Sequence, residues 1–224
     1  MTPNKISKPE AAILYFTFGL LFFGIVLSRT DRYWFDFTYT AEDGFIEWMT
    51  LLPLTVMMVI SGLRLAKLFR LRRPLFLSAL AGIILVCVFL IGEELSWGQR
   101  FLGLESSEFF KSNNSQKETN LHNLVIAGRS INLIIFSRTL ILVMACYLVV
   151  LPILYPRKQK IKNIVDSLAI PVPQLYQIIS FFLVFGLIAL CPSGRRSELL
   201  EFCSCFLLLL IFKYPRNKEI YLAE

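Results

Sequence analysis

Glu93 and Glu94 stand side by side in an otherwise apolar run, Phe89-Leu-Ile-Gly-Glu-Glu-Leu-Ser-Trp97. A carboxylate at the centre of a membrane costs about 3 kcal/mol even on insertion scales, so acids at that depth are kept for pairing or for function. Neighbours on a helix diverge by about 100°, which lets at most one of the two point straight at a common centre. Arg100, seven residues beyond Glu93, returns to the same helical face and offers a structural ion pair. Two carboxyls and one guanidinium leave one acid short of a partner, and a carboxyl so placed suits proton transfer.

Two further segments carry residues of the same kind. In Glu42-Asp-Gly-Phe-Ile-Glu-Trp48, Glu47 lies a turn inside an apolar run with Asp43 four residues earlier on its face. Glu42 and Asp43 equally suit a helix N-terminus, where negative charge complements the dipole. The amide-rich run Asn113-Asn-Ser-Gln-Lys-Glu-Thr-Asn-Leu-His-Asn123 holds the only histidine. If helical, it puts Glu118 and His122 on one face, able to ligate a metal or to work as an acid/base pair. Ferritin-like di-metal bundles use a related spacing of three, not four, so that likeness is slight, and a lone histidine equally serves as a structural hydrogen-bonding group. The candidate catalytic residues are thus Glu93, Glu94, Glu47 and His122. Arg100, Arg129 and Arg138, with Asn120, Gln99 and Trp97, are candidates for holding an anionic head group. Glu94, Glu118, His122 and Asp43 are candidate ligands for a divalent metal, where so oxygen-rich a set suits Mg²⁺, Mn²⁺ or Ca²⁺ at least as well as zinc. Glu198 and Glu201, at i,i+3, either extend this cluster or pair with Arg195 and Arg196.

What must position these groups is a membrane bundle. The chain is 224 residues, 56% hydrophobic and only 17% charged, with a mean hydropathy of +0.63. Those are membrane values. A bilayer core needs roughly 20 apolar residues per helix, and six runs qualify: 11–28, 44–64, 75–97, 131–155, 174–191 and 198–212. The expected fold is an all-α, polytopic transmembrane bundle of six spans in one domain, with an outer loop over 98–130. Residues 121–155 would make about 52 Å of continuous helix, too long for one span, so an interfacial turn near 121–127 and a break at Gly128 are expected. Pro53 should kink the second span.

Charge sets the orientation. Fourteen of the 23 Lys and Arg residues fall at one set of loop ends and eight at the other, with Arg138 inside the fourth run. The positive-inside rule then places both termini in the cytoplasm. Twelve of the sixteen carboxylates fall on the opposite, extracytoplasmic side. The net charge of +7 is therefore topology, and no loop is long enough to carry a nucleic-acid surface. Residues 11–27 read as a retained anchor, since no Ala-x-Ala site follows. The five cysteines show no metal spacing; Cys191 and Cys203 bracket the last turn between spans and could pair across an oxidising face.

The segments Gly92-Glu-Glu-Leu-Ser-Trp-Gly-Gln-Arg100, Asn114-Ser-Gln-Lys-Glu-Thr-Asn-Leu-His-Asn123 and Glu42-Asp-Gly-Phe-Ile-Glu-Trp48 together resemble those of a group of uncharacterised bacterial multi-pass membrane proteins. The likeness spans roughly residues 42–123. It implies a bacterial inner membrane and one functional unit, and it brings no activity with it. Two readings follow from the residues. One is a membrane-embedded hydrolase or transferase acting on a lipid or lipid-linked substrate. The other is a non-catalytic subunit that binds lipid or a protein partner, its charges being structural ion pairs. A transporter is disfavoured because the charges crowd one interface without an internal repeat, and nucleotide chemistry because no phosphate-cradling loop appears.

Overall fold

Three stretches with at most two charges in eighteen residues become helices long and apolar enough to cross a membrane: α1 (Lys8–Thr30), α2 (Phe45–Leu68) and α3 (Pro74–Glu94). The computed structural model describes residues 6–121, 123–126, 129–130 and 138–223. After α3 come the short α4 (Gln99–Leu102) and α5 (Glu108–Asn113), then α6 (Arg138–Ala145), which runs through a π turn into α7 (Leu151–Leu154). The chain continues as α8 (Gln159–Ser167), α9 (Leu175–Ile188) and α10 (Arg196–Lys213). Among the described residues the only strand pairing is Val125–Ile126 against Arg129–Ser130.

Local chemistry sets the helix ends. Ser7 and Glu10 form a capping box that opens α1. At the start of α2, Glu47 reaches back to accept the Asp43 N–H at 2.8 Å, with Gly44 as the cap. Pro53 lies buried inside α2 without ending it. The third run stops at Glu94 rather than residue 97, because Ser96, Trp97 and Gly98 take φ of 46°, 54° and 77°. Three consecutive left-handed residues end a right-handed helix and redirect the chain.

The helix at the centre is α10. It carries charges at both ends, yet Leu199, Phe202, Cys203, Phe206, Leu207, Leu210 and Ile211 are buried along it. It packs on α1, α2 and α9. One core joins it to α1 and α9; another joins Leu54 and Met57 of α2 and Cys87 of α3 to Leu209 and Phe212. At the basic end, Arg64 sits between the rings of Tyr221 and Phe212, 3.7 and 4.7 Å from their centroids. The outward faces, such as Leu85, Val86 and Val88 of α3, stay exposed, as lipid-facing surfaces do.

Among the described residues, three of the six expected spans are helices long and apolar enough to cross a membrane. Thr139–Leu154 and Leu175–Ile188 are shorter apolar helices, the latter about 21 Å long against a core of about 30 Å. The expected start of the fourth run, 131–137, lies outside the described residues. Where an interfacial turn is expected near 121–127, Val125–Ile126 enters the short strand pairing, and the break expected at Gly128 lies outside the described residues. Cys191 and Cys203 are both buried free thiols, so the pairing considered for them is not made.

Candidate functional site

The paired glutamates diverge, as helical geometry requires. Glu93 is buried and accepts two hydrogen bonds, from the Leu121 backbone N–H at 2.6 Å and from Trp97 Nε1 at 2.9 Å. It fastens the far end of the amide-rich loop to the end of α3. The Trp97 ring folds back along α3, against Phe89 at 5.9 Å between centroids. A Cβ on Gly92 would stand 2.8 Å from that ring. Gly92→Ala is accordingly expected to displace Trp97, break its bond to Glu93 and cost about 1–3 kcal/mol, read as a lower melting temperature with altered tryptophan emission.

Arg100 does not meet Glu93. The left-handed turn carries it away from that face, to Glu47 at 3.0 Å, Asp43 at 3.2 Å and Glu118 at 3.8 Å. It also donates to the Glu94 backbone carbonyl at 2.9 Å. Burial alone would lower its pKa; the hydrogen bond to Glu47, with the charges of Glu118 and Glu47, outweighs this and holds it above the ordinary value. The guanidinium expected to hold a substrate anion is thus taken up within the protein.

The amide-rich loop over 114–121 is a knot of side-chain bonds rather than a helix. The Asn114 carbonyl accepts from Gln116 N–H at 2.8 Å, its amide donates to Asn120 Oδ1 at 2.9 Å, and Lys117 is left-handed. Local Asx bonding of this kind competes with helix formation. Asn120 is buried, its amide donating to Ser96 Oγ at 2.9 Å, while Ser96 donates to Glu118. Gln99 bridges Ser106 and the Thr119 N–H at 2.7 and 2.8 Å. Asn120, Gln99 and Trp97, expected to touch substrate, are therefore structural ties.

The third wall comes from α10. Glu198 and Glu201, one turn apart, face the end of α3, and Arg195 donates to the Thr40 carbonyl at 3.2 Å. Together these elements enclose a cavity of about 90 Å³ lined by Glu42, Glu47, Glu94, Glu118, Glu198 and Glu201 with Arg100 and Arg195. Of the two expected answers for Glu198 and Glu201, they extend the cluster. Glu94 and Glu201 both line this cavity, with Glu198 beside them.

At the rim, Glu42 accepts from the Gln116 amide. Burial of its carboxylate end, with Glu118 adding to the effect and Arg195 opposing it, raises its pKa above the ordinary 4.5. A carboxyl raised in the folded state adds stability that is complete below the unfolded value and lost as pH climbs through the folded one. Glu42→Gln is expected to flatten the fall in melting temperature on raising pH from just above 4.5, measured by thermal melts across a pH series.

Of the expected ligands, Asp43 and Glu118 both pair with Arg100. Among the described residues no three His, Cys, Asp or Glu side chains could hold a metal ion. His122 and the side chains of Arg129 and Arg138 lie outside what is described. Ser96 carried no signal apart from its place in the Glu-Glu-Leu-Ser-Trp run. Glu198 and Glu201 were visible as an i,i+3 pair, but their meeting with Glu94 depends on α10 standing at the centre. Compared with known protein families, curated proteins and solved structures, the chain finds no match.

Proposed function

We propose that this protein is a membrane-embedded hydrolase or transferase that acts on a lipid or lipid-linked substrate through the carboxyls of the polar cavity. The observation that carries the reading is the gathering of Glu94, Glu198 and Glu201 on one cavity, since carboxyls that share a site can hold a proton on one group while a neighbour is free to take one. That is the equipment for protonating a leaving group and activating an attacking hydroxyl or water. Glu198 stands beside them on the cavity wall. Glu93 and Arg100, by contrast, hold the scaffold through bonds within the protein.

The lining has six carboxylates to two guanidiniums, and one of these, Arg100, is quenched by its own acids. Neutral or amine-bearing head groups suit such a field better than phosphate alone. Arg100 itself neutralises Asp43, Glu47 and Glu118 by ion pairs. In this reading the spans number six and both termini are cytoplasmic, which follows from the Lys and Arg pattern. The resemblance of the three polar segments to bacterial multi-pass proteins supports an inner-membrane location.

The test is to incubate the purified protein in nanodiscs of bacterial lipid extract and follow released head groups and acyl chains by mass spectrometry. Time-dependent product formation is expected. A lipid pool unchanged over hours, from protein that remains folded, would leave the cavity as a non-catalytic binding site. The engagement of Glu93 and Arg100 is what favours that second reading.

A further inference from the structure

We propose that residues 99–110 form a foot resting in the lipid leaflet at the polar end of the bundle, with apolar side chains among the acyl chains beside α2 and α3. Phe101, Leu102, Leu104 and Phe109 are 60%, 69%, 58% and 53% exposed. Four large apolar groups so exposed within nine residues are more than scattered surface hydrophobics, and such a patch marks an interaction surface. Arg100 turns away to Asp43, Glu47 and Glu118, and the acids of the stretch pair with Lys111 just beyond it, Glu105 at 2.9 Å and Glu108 at 3.3 Å. The segment thus has the mixed character of a chain lying along an interface.

Its depth follows from contacts with the spanning helices. The Phe101 ring packs on Trp48 at 6.0 Å, edge to face, and Trp48 is the fourth residue of α2. Trp97, two residues before α4, lies back on Gly92 and Phe89 of α3 with half its surface open. The segment is therefore tied beside the helix ends, at the level of two exposed tryptophans, the residue type that favours the membrane–water boundary. Gly103, at φ 61°, closes α4 there and turns the chain along this level. The occupant is the host bilayer, because the patch continues the surface that α2 and α3 already give to lipid.

The experiment uses the full chain, one copy per nanodisc, with a phospholipid carrying a diazirine in the upper part of its acyl chain. After photolysis, adducts are mapped by mass spectrometry. Adducts are expected within 99–110 at a frequency within about threefold of those on the exposed face of α3, as for any segment seated a few ångströms below the head groups. An unlabelled foot beside a labelled α3 would place the segment in water and overturn the proposal. So would labelling of α3 alone in single-copy discs joined by foot-to-foot cross-links in discs holding two copies, which would give this surface to a second copy of the chain.

Discussion

Replacing Glu94 by glutamine is expected to lower lipid turnover by about 10²–10⁴-fold, the usual contribution of general acid–base catalysis, while the protein still folds. Glutamine keeps the shape of the side chain and its hydrogen-bonding capacity in the cavity that Glu94 shares with Glu201. The Arg100 bond to residue 94 runs to the backbone carbonyl and is untouched. Glu201→Gln should give a loss of the same order, and the double variant should be little worse than either, because residues that act as one unit are not additive. Initial rates in nanodiscs, set beside melting temperatures, separate the readings. Full activity in Glu94→Gln would remove the pair from the chemistry, and a large drop in melting temperature would assign it to structure instead.

Arg100→Ala is expected to have the largest effect on the fold. Its side chain is only 19% exposed and is shared by Glu47, Asp43, Glu118 and a carbonyl. Removing one partner of a buried pair costs about 3–5 kcal/mol by leaving uncompensated charge; since Arg100 is partly wet, the low end of that range applies. Arg100→Lys should recover only part, because a single ammonium cannot span acceptors on separate elements as a guanidinium fork does. Thermal melts in detergent at neutral pH read both variants. A melting temperature for Arg100→Ala equal to the parent's would show that this network is a surface feature without weight in the fold.

How much of this was legible beforehand divides along physical lines. Hydropathy found α1, α2 and α3 nearly to their ends, because each is a long apolar run that need satisfy only its own backbone. The divergence of Glu93 and Glu94 was also readable, being fixed by the 100° step between helical neighbours. What escaped were partners set by backbone reversals. The Arg100–Glu93 pairing assumed that α3 runs on, whereas Ser96–Gly98 turns left-handed. The helix expected around Glu118 gives way to a loop that Asn114 bonds locally. Glu201 could be placed near the interface by its position, but its meeting with Glu94 needed the rotation of α10, which is set by packing against α1, α2 and α9.

The place of α10 in the chain bears on how the protein is made. Translation and membrane insertion proceed from the N-terminal side, so Glu47, Glu94 and Arg100 enter the bilayer long before Glu198 and Glu201 exist. The Arg100 network draws all its acids from residues 43 to 118, and can therefore close while the ribosome is still working. Glu94 has only its backbone carbonyl engaged at that stage. Glu198 and Glu201 complete the cavity only when α10 docks, so every shorter nascent chain lacks that wall.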